Sequence, residues 1–214
     1  MMIATLIGGT GLTGSFLARQ LLANPDITKV ISVSRRPLGI ENAKLAEVLV
    51  RDLAELPSTA SRIGGELYFC CLGTTIKTAG SRENFERVDH TAIVEFARIA
   101  KTQEARSLTL ISSMGANARS KIFYNRIKGR TENDVTALGL RSLTIFRPAL
   151  LVGPRQEFRL AEGIASRTMV PLSRLLPERA RKSLITEVET LAARMLDEGK
   201  TAPEGVHVIR ATDI

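Results

Sequence analysis

Short apolar runs alternate along the chain with longer segments in which apolar residues recur every few positions. This is the pattern of strands buried on both faces and of the helices that cover them. The runs are Ile3 to Gly8, Lys29 to Ser34, Glu47 to Val50, Glu66 to Leu72, Ser107 to Ser112, Ser142 to Phe146 and Val206 to Arg210. Helical stretches fall at Gly14 to Ala23, Leu53 to Arg62, Glu83 to Gln103, Ser120 to Leu138 and Val188 to Glu198. Within Glu83 to Gln103, Phe85, Val88, Ile93, Phe96, Ala97 and Ala100 make one apolar stripe. Gly139 and Gly199 stand where helices are expected to stop. The alternation predicts an α/β protein of Rossmann type, a doubly wound parallel sheet of about seven strands. After Pro148 the pattern weakens, with Pro154, Pro171 and Pro177 interrupting it. Residues 149–205 are therefore expected to form a small irregular or helical lobe on the substrate side, within a single domain spanning residues 1–214.

Composition narrows the class. A length of 214 residues suits one sizeable core, and 44% hydrophobic with 24% charged residues excludes a disordered chain. The apolar opening Met1 to Gly8 has neither a basic start nor a cleavage site and reads as a first strand, which leaves the cytoplasm as the default compartment and predicts no membrane span. Cys70 and Cys71 are adjacent in an apolar run, a poor arrangement for a structural disulfide, and read as reduced core thiols. The net charge of +8 raises the question of nucleic acid, but the positive residues are scattered and aromatic content is 4%, so no nucleic-acid partner is expected. The exception is Arg155 to Lys182, where seven basic residues face Glu157, Glu162 and Glu178, a segment suited to an acidic substrate. His90 and His207 lack metal-ligand spacing, so no metal is expected.

The first run ends in Gly8-Gly9-Thr10-Gly11-Leu12-Thr13-Gly14, with glycines at 8, 11 and 14 just before a helix. Glycine there permits a tight turn, lets backbone approach a diphosphate and lets helix pack close to strand. Free amides and the positive end of the helix dipole then face the anion. The second run ends in Ser34-Arg35-Arg36, where an NAD-specific protein would carry an acid for the ribose 2′-hydroxyl. Two arginines and a hydroxyl suit a 2′-phosphate instead, so NADP(H) is favoured over NAD(H). Asp52-Leu53 is expected near the adenine, with helix capping as an equally fair role for Asp52.

Tyr124 and Lys128 stand four apart in a predicted helix, hence on one face. Ser112-Ser113 closes a strand upstream. A carbonyl that accepts hydride must gain a proton, and a tyrosine of ordinary pKa about 10 supplies or removes one more readily when a nearby ammonium favours its phenolate. Tyr124 is thus the candidate acid/base, Lys128 its tuning partner and Ser113 the group that holds the substrate oxygen.

These residues, together with Cys71-Leu72-Gly73-Thr74-Thr75, Val88-Asp89, Ser112-Ser113-Met114-Gly115-Ala116 and Phe146-Arg147-Pro148, make the chain resemble the atypical branch of the short-chain dehydrogenase/reductase superfamily, specifically its Tat-interacting-protein-like members. The resemblance implies a Rossmann fold and bound NADP(H). It implies that Cys71, Leu72, Gly73 and Thr74 line the cofactor and that Ser113, Tyr124 and Lys128 hold the catalytic positions, with Ser112 beside them. It further implies that Pro148 and Leu151 lie near the nicotinamide. Leu72-Gly73-Thr74 replaces the Asn-Ala-Gly found after the fourth strand in classical members. The expected activity is hydride transfer to or from a small carbonyl or alcohol. The alternatives are a non-catalytic NADP(H)-sensing regulator and an epimerase or dehydratase. A small-molecule substrate and a monomer or homodimer are expected, with Glu83 to Gln103 and Ser120 to Leu138 available to pair between subunits.

Overall fold

The computed structural model describes residues 1–153 and 184–214. The basic segment Arg155 to Lys182 and the prolines at 154, 171 and 177 lie outside these residues. Seven parallel strands form the central sheet: β1 (Met2–Ile7), β2 (Ile27–Ser34), β3 (Leu45–Leu49), β4 (Leu67–Cys70), β5 (Ser107–Ile111), β6 (Ser142–Arg147) and β9 (Gly205–Arg210). Their order, β3-β2-β1-β4-β5-β6-β9, is that of a doubly wound fold whose winding reverses between β1 and β4. Each predicted strand is present within a few residues of its expected bounds. A parallel sheet must be covered on both sides, and side-chain alternation along β4 shows how: Leu67 and Phe69 enter one core, Tyr68 and Cys70 the other.

On one face lie α1 (Leu12–Ala23) and the last long helix, α6 (Val188–Thr201), which bury Leu17, Leu21, Leu191 and Met195 with Phe69. On the other lie α4 (Ala92–Thr102) and α5 (Phe123–Ala137), where Phe96 meets Tyr68 with ring centroids 5.4 Å apart. The sequence placed a helix stop at Gly199, but the structure puts that residue inside α6. A Cβ there would stand 2.7 Å from the Phe69 ring, so Gly199 serves a close helix–sheet crossing. Gly139 does end α5, at φ +64.

Three further differences have local causes. Leu53–Arg62 is a 3-10 helix rather than an α-helix, since Pro57 inside it has no N–H to donate and its ring obstructs the α-helical turn. Helix α5 starts at Phe123 rather than Ser120 because the preceding loop turns on side-chain bonds: Asn117 accepts from the Arg119 amide and Ser120 from the Ile122 amide. The expected helix Glu83 to Gln103 is divided into α3 (Arg82–Glu86), a π-helical turn (Arg87–Thr91) and α4. A short helix α2 (Ile76–Ala79) precedes it, and β7 (Leu150–Val152) pairs in parallel with β8 (Ile185–Glu187) beyond β6.

The junction of β1 with α1 fixes the carboxyl edge of the sheet. A Cβ on Gly14 would lie 2.1 Å from the Gly8 carbonyl oxygen, so the helix sits directly against the turn. Gly14→Ala is expected to force helix and turn apart and to cost about 1–3 kcal/mol of stability as an overpacking change. Chemical denaturation of the variant beside the parent protein measures it, and an unchanged midpoint would contradict the contact.

Candidate functional site

A cavity of about 990 Å³ opens at the carboxyl ends of the strands, where the winding reverses. The turn after β1 forms one wall through Gly8, Thr10, Gly11, Leu12 and Thr13. Gly8 has φ +81, and a Cβ on it would strike the Cys71 carbonyl at 2.6 Å, so glycine alone fits. Gly14 stands behind the wall as the contact with Gly8, outside the cavity lining. Gly11 caps α1 without a side-chain hydrogen bond, and no acidic residue occupies the first helical turn. Among the described residues no side chain satisfies the leading amides of α1 beside the cavity, which makes a site for an anion.

The end of β2 adds Ser34, Arg35 and Arg36, and the start of the 3-10 helix adds Asp52 and Leu53. Ser34 donates its hydroxyl to the Arg36 carbonyl at 2.6 Å and so shapes the turn that carries both arginines, whose side chains are exposed. Asp52 does cap the helix, accepting from the Ala54 amide at 2.8 Å, while its carboxylate also pairs with Arg87 at 3.2 Å. That cap holds its carboxyl below the usual value, with Arg87 and Arg35 adding to the effect against partial desolvation. Arg87 lines the cavity from the π-helical turn. It was not singled out in the sequence, where a helical arginine carries no distinguishing signal.

Cys71, Leu72, Gly73 and Thr74 follow β4 along the cavity, and Ser112, Ser113, Tyr124, Lys128, Pro148 and Leu151 are among the residues that line it further. The hydroxyls of Thr13, Ser112 and Ser113 are buried with no hydrogen-bond partner among the described residues. Lining a roomy cavity, these hydroxyls are free to bond a ligand or water there. Together with the free amides and the glycine cradle, they fit an elongated ligand with anionic phosphates and sugar hydroxyls, such as a nicotinamide dinucleotide. Cys70 is buried and Cys71 half-buried, and both are free thiols; burial pushes the Cys70 thiol up to about 12.

Helix α5 presents an unusual inner face. Lys128, Thr131, Glu132 and Val135, at helical spacing, are all buried, and the polar members each meet a partner. Glu132 takes a two-pronged bond from Arg147 at the end of β6. Thr131 donates to the Asp89 backbone carbonyl at 2.8 Å, within the π-helical turn. The Lys128 ammonium lies 2.7 Å from Asp89 Oδ1, with both side chains almost wholly buried. Asp89 Oδ2 in turn accepts from the Thr74 amide at 2.9 Å. Burial by itself disfavours the ammonium, but the Asp89 carboxylate, then Tyr124, hold the Lys128 pKa above its ordinary value. Removing one partner of such a pair leaves an uncompensated buried charge, at about 3–5 kcal/mol. Tyr124 packs on Phe85, ring centroids 5.5 Å apart.

His90 and His207 are satisfied by Asp134 and the Glu204 carbonyl, and no group of metal-ligating side chains occurs among the described residues. No described helix is long and apolar enough to cross a membrane. The outward residues of α5, among them Arg130, Asn133 and Asp134, are exposed and polar.

No family model matches the chain. Among solved structures it is similar to the Bordetella bronchiseptica enzyme WbmH in complex with NAD+, with TM-score 0.72 and 16% identity over 98% of this chain and 75% of that one, a likeness of fold. Among curated proteins it is 37% identical over 166 residues to the mitochondrial protein fmp52 of Emericella nidulans, covering 75% of this chain and 71% of that protein. It is 32% identical over 210 residues to fmp52-1, mitochondrial, of Aspergillus terreus, covering 96% and 90%. These names overturn the cytoplasmic expectation. That expectation rested on the lack of a legible address, and an address is read by receptors rather than by the physics of folding. By identity at this level and over this length, the chain belongs to the fmp52 protein family.

Proposed function

We propose that this protein is an NADP(H)-dependent oxidoreductase that moves hydride to or from a small carbonyl or alcohol. The observation that carries the reading is the convergence on one cavity of a free-amide turn, two arginines after β2, and Ser113, Tyr124 and Lys128. The WbmH structure, whose fold the chain shares, holds NAD+, which supports a dinucleotide in the same place. Arg35 and Arg36 argue for the phosphorylated form, because guanidinium groups match phosphate oxygens and no carboxylate ends β2. Tat-interacting-protein-like kinship within the short-chain dehydrogenase/reductase superfamily fits the motif order. In this reading the protein is a monomer or homodimer, residues 149–153 line the substrate side of the cavity in a single domain, and the mitochondrion is the compartment to test.

When bound, the nicotinamide supplies or accepts the hydride. Tyr124 does the proton work: in reduction its O–H bond breaks and the proton passes to the carbonyl oxygen, completing the alcohol. Ser113, whose hydroxyl has no partner among the described residues, donates to that oxygen and steadies the charge that builds on it. Lys128 holds ribose hydroxyls and faces Tyr124. The amides at the start of α1 hold the diphosphate, with Leu12 and Thr13 at the contact.

Two results are expected. In titrations followed by nucleotide fluorescence, NADPH binds more tightly than NADH, and Arg35→Ala or Arg36→Ala each narrows the advantage by about tenfold, the worth of a charge-assisted bond; equal affinities would refute the NADP preference. Across a panel of small carbonyls, Tyr124→Phe loses about 10²–10⁴ in NADPH oxidation while keeping NADPH affinity. Tight NADPH binding with no turnover by the parent protein on any carbonyl would instead favour the sensing role.

A further inference from the structure

The buried acid of the π-helical turn has no part in the mechanism above, yet it is the group closest to its lysine. We propose that Asp89 is a positioning residue: its carboxylate holds the Lys128 ammonium in place and cancels its charge, so that Tyr124 stays protonated and the site favours giving a proton to a carbonyl. This rests on the oxidoreductase reading for its meaning, though not for its test.

The geometry carries the argument. Asp89 is wholly buried, with Oδ1 at 2.7 Å from Lys128 Nζ and Oδ2 taking the Thr74 amide at 2.9 Å. One carboxylate thus ties the loop after β4 to α5, and Gly73 lies over the pair closely enough that a Cβ would sit 3.7 Å from both charged atoms. The charges nearby are already matched: Arg87 with Asp52, Arg130 with Glu86, Arg147 with Glu132 and His90 with Asp134. Burial pushes the Cys70 thiol, which faces the pair, up, so it stays neutral beside it. Arg35, Arg36 and Glu95 line other parts of the same cavity.

The sign follows from counting protons over the coupled group. With Asp89 ionised, the state holding Lys128 as ammonium and Tyr124 as phenol is neutral, and loss of a proton creates net negative charge in a buried place. With a neutral side chain at position 89 the same state carries net positive charge, and loss of a proton relieves it. Tyrosinate absorbance reads the part of this proton loss that falls on Tyr124. Asp89 therefore holds the proton on the site to higher pH.

The protein contains two tyrosines and no tryptophan, which makes this directly readable from tyrosinate absorbance. Tyr68 is buried and pushed up to about 12, well away from ordinary titration. The intact protein is titrated with pH while circular dichroism follows the fold, and the step that Tyr124→Phe abolishes is assigned to Tyr124. Asp89→Asn keeps the shape and an acceptor for the Thr74 amide but removes the charge. It is expected to move that step down by about one pH unit or more. An unmoved step in folded Asp89→Asn would overturn the proposal, since a merely structural Asp89 does not shift a tyrosine's titration. Should Asp89→Asn fail to fold, Asp89→Asn/Lys128→Met carries the test: loss of both charges is expected to leave the step within about half a unit of its native position. A larger displacement would overturn the cancellation. The titration needs neither nucleotide nor turnover, so it stands or falls separately from the oxidoreductase reading.

Discussion

The contact between the end of β1 and the start of α1 governs the rest of the site. Glycine at 8 lets the chain turn at positive φ beneath the Cys71 carbonyl, and glycine at 14 lets the helix press against the turn. Neither position accepts a Cβ without displacing backbone, which cannot yield as a flexible side chain can. That tightness brings the free amides of α1 to the carboxyl edge of the sheet, at the point where the winding reverses and a crevice must open. Everything that lines the crevice is placed relative to this fixed edge by the parallel register of β1, β2, β4, β5 and β6.

Helix α5 is held differently. Its inner face carries three buried polar side chains, and it is located by their pairings to two separate pieces of chain: Lys128 to the Asp89 carboxylate and Thr131 to the Asp89 carbonyl in the π-helical turn, and Glu132 to Arg147 at the end of β6. Hydrophobic contacts tolerate sliding, whereas a buried ion pair or hydrogen bond has one geometry and a steep penalty for losing it. A helix bearing a candidate acid/base gains from that exactness of position. The π-helical turn belongs to the same device, because it presents the Asp89 side chain to Lys128 and its carbonyl to Thr131.

Much of the fold was legible in the residues. Every strand of the main sheet was visible as an apolar run, since a parallel strand buried on both faces needs one wherever it occurs. The glycine turn, the two arginines and the Tyr124/Lys128 spacing were visible because each is set by local geometry: a turn, a strand end, one helical turn. The structure gathers all of these but Gly9 and Gly14 into the lining of one cavity, and Gly14 into the wall behind it. The 3-10 helix was hidden by a periodicity too short to separate two kinds of helix, although Pro57 was a visible hint. The pairing of β7 with β8 was hidden because strands of three residues leave no readable pattern.

The sequence by itself determined which segments are strands and helices and where an anion could meet the first helix, for these follow from residues near one another in the chain. Tertiary structure decided which polar groups became partners. Asp89 and Lys128 are 39 positions apart, and nothing local marks either as half of a buried pair. Likewise Gly199 looked like a helix end until Phe69, from a distant strand, was found against it. The reason is common to both: the energy of burying a charge, or of admitting a methyl group, is set by what the folded chain brings alongside, and periodicity carries no record of that neighbour.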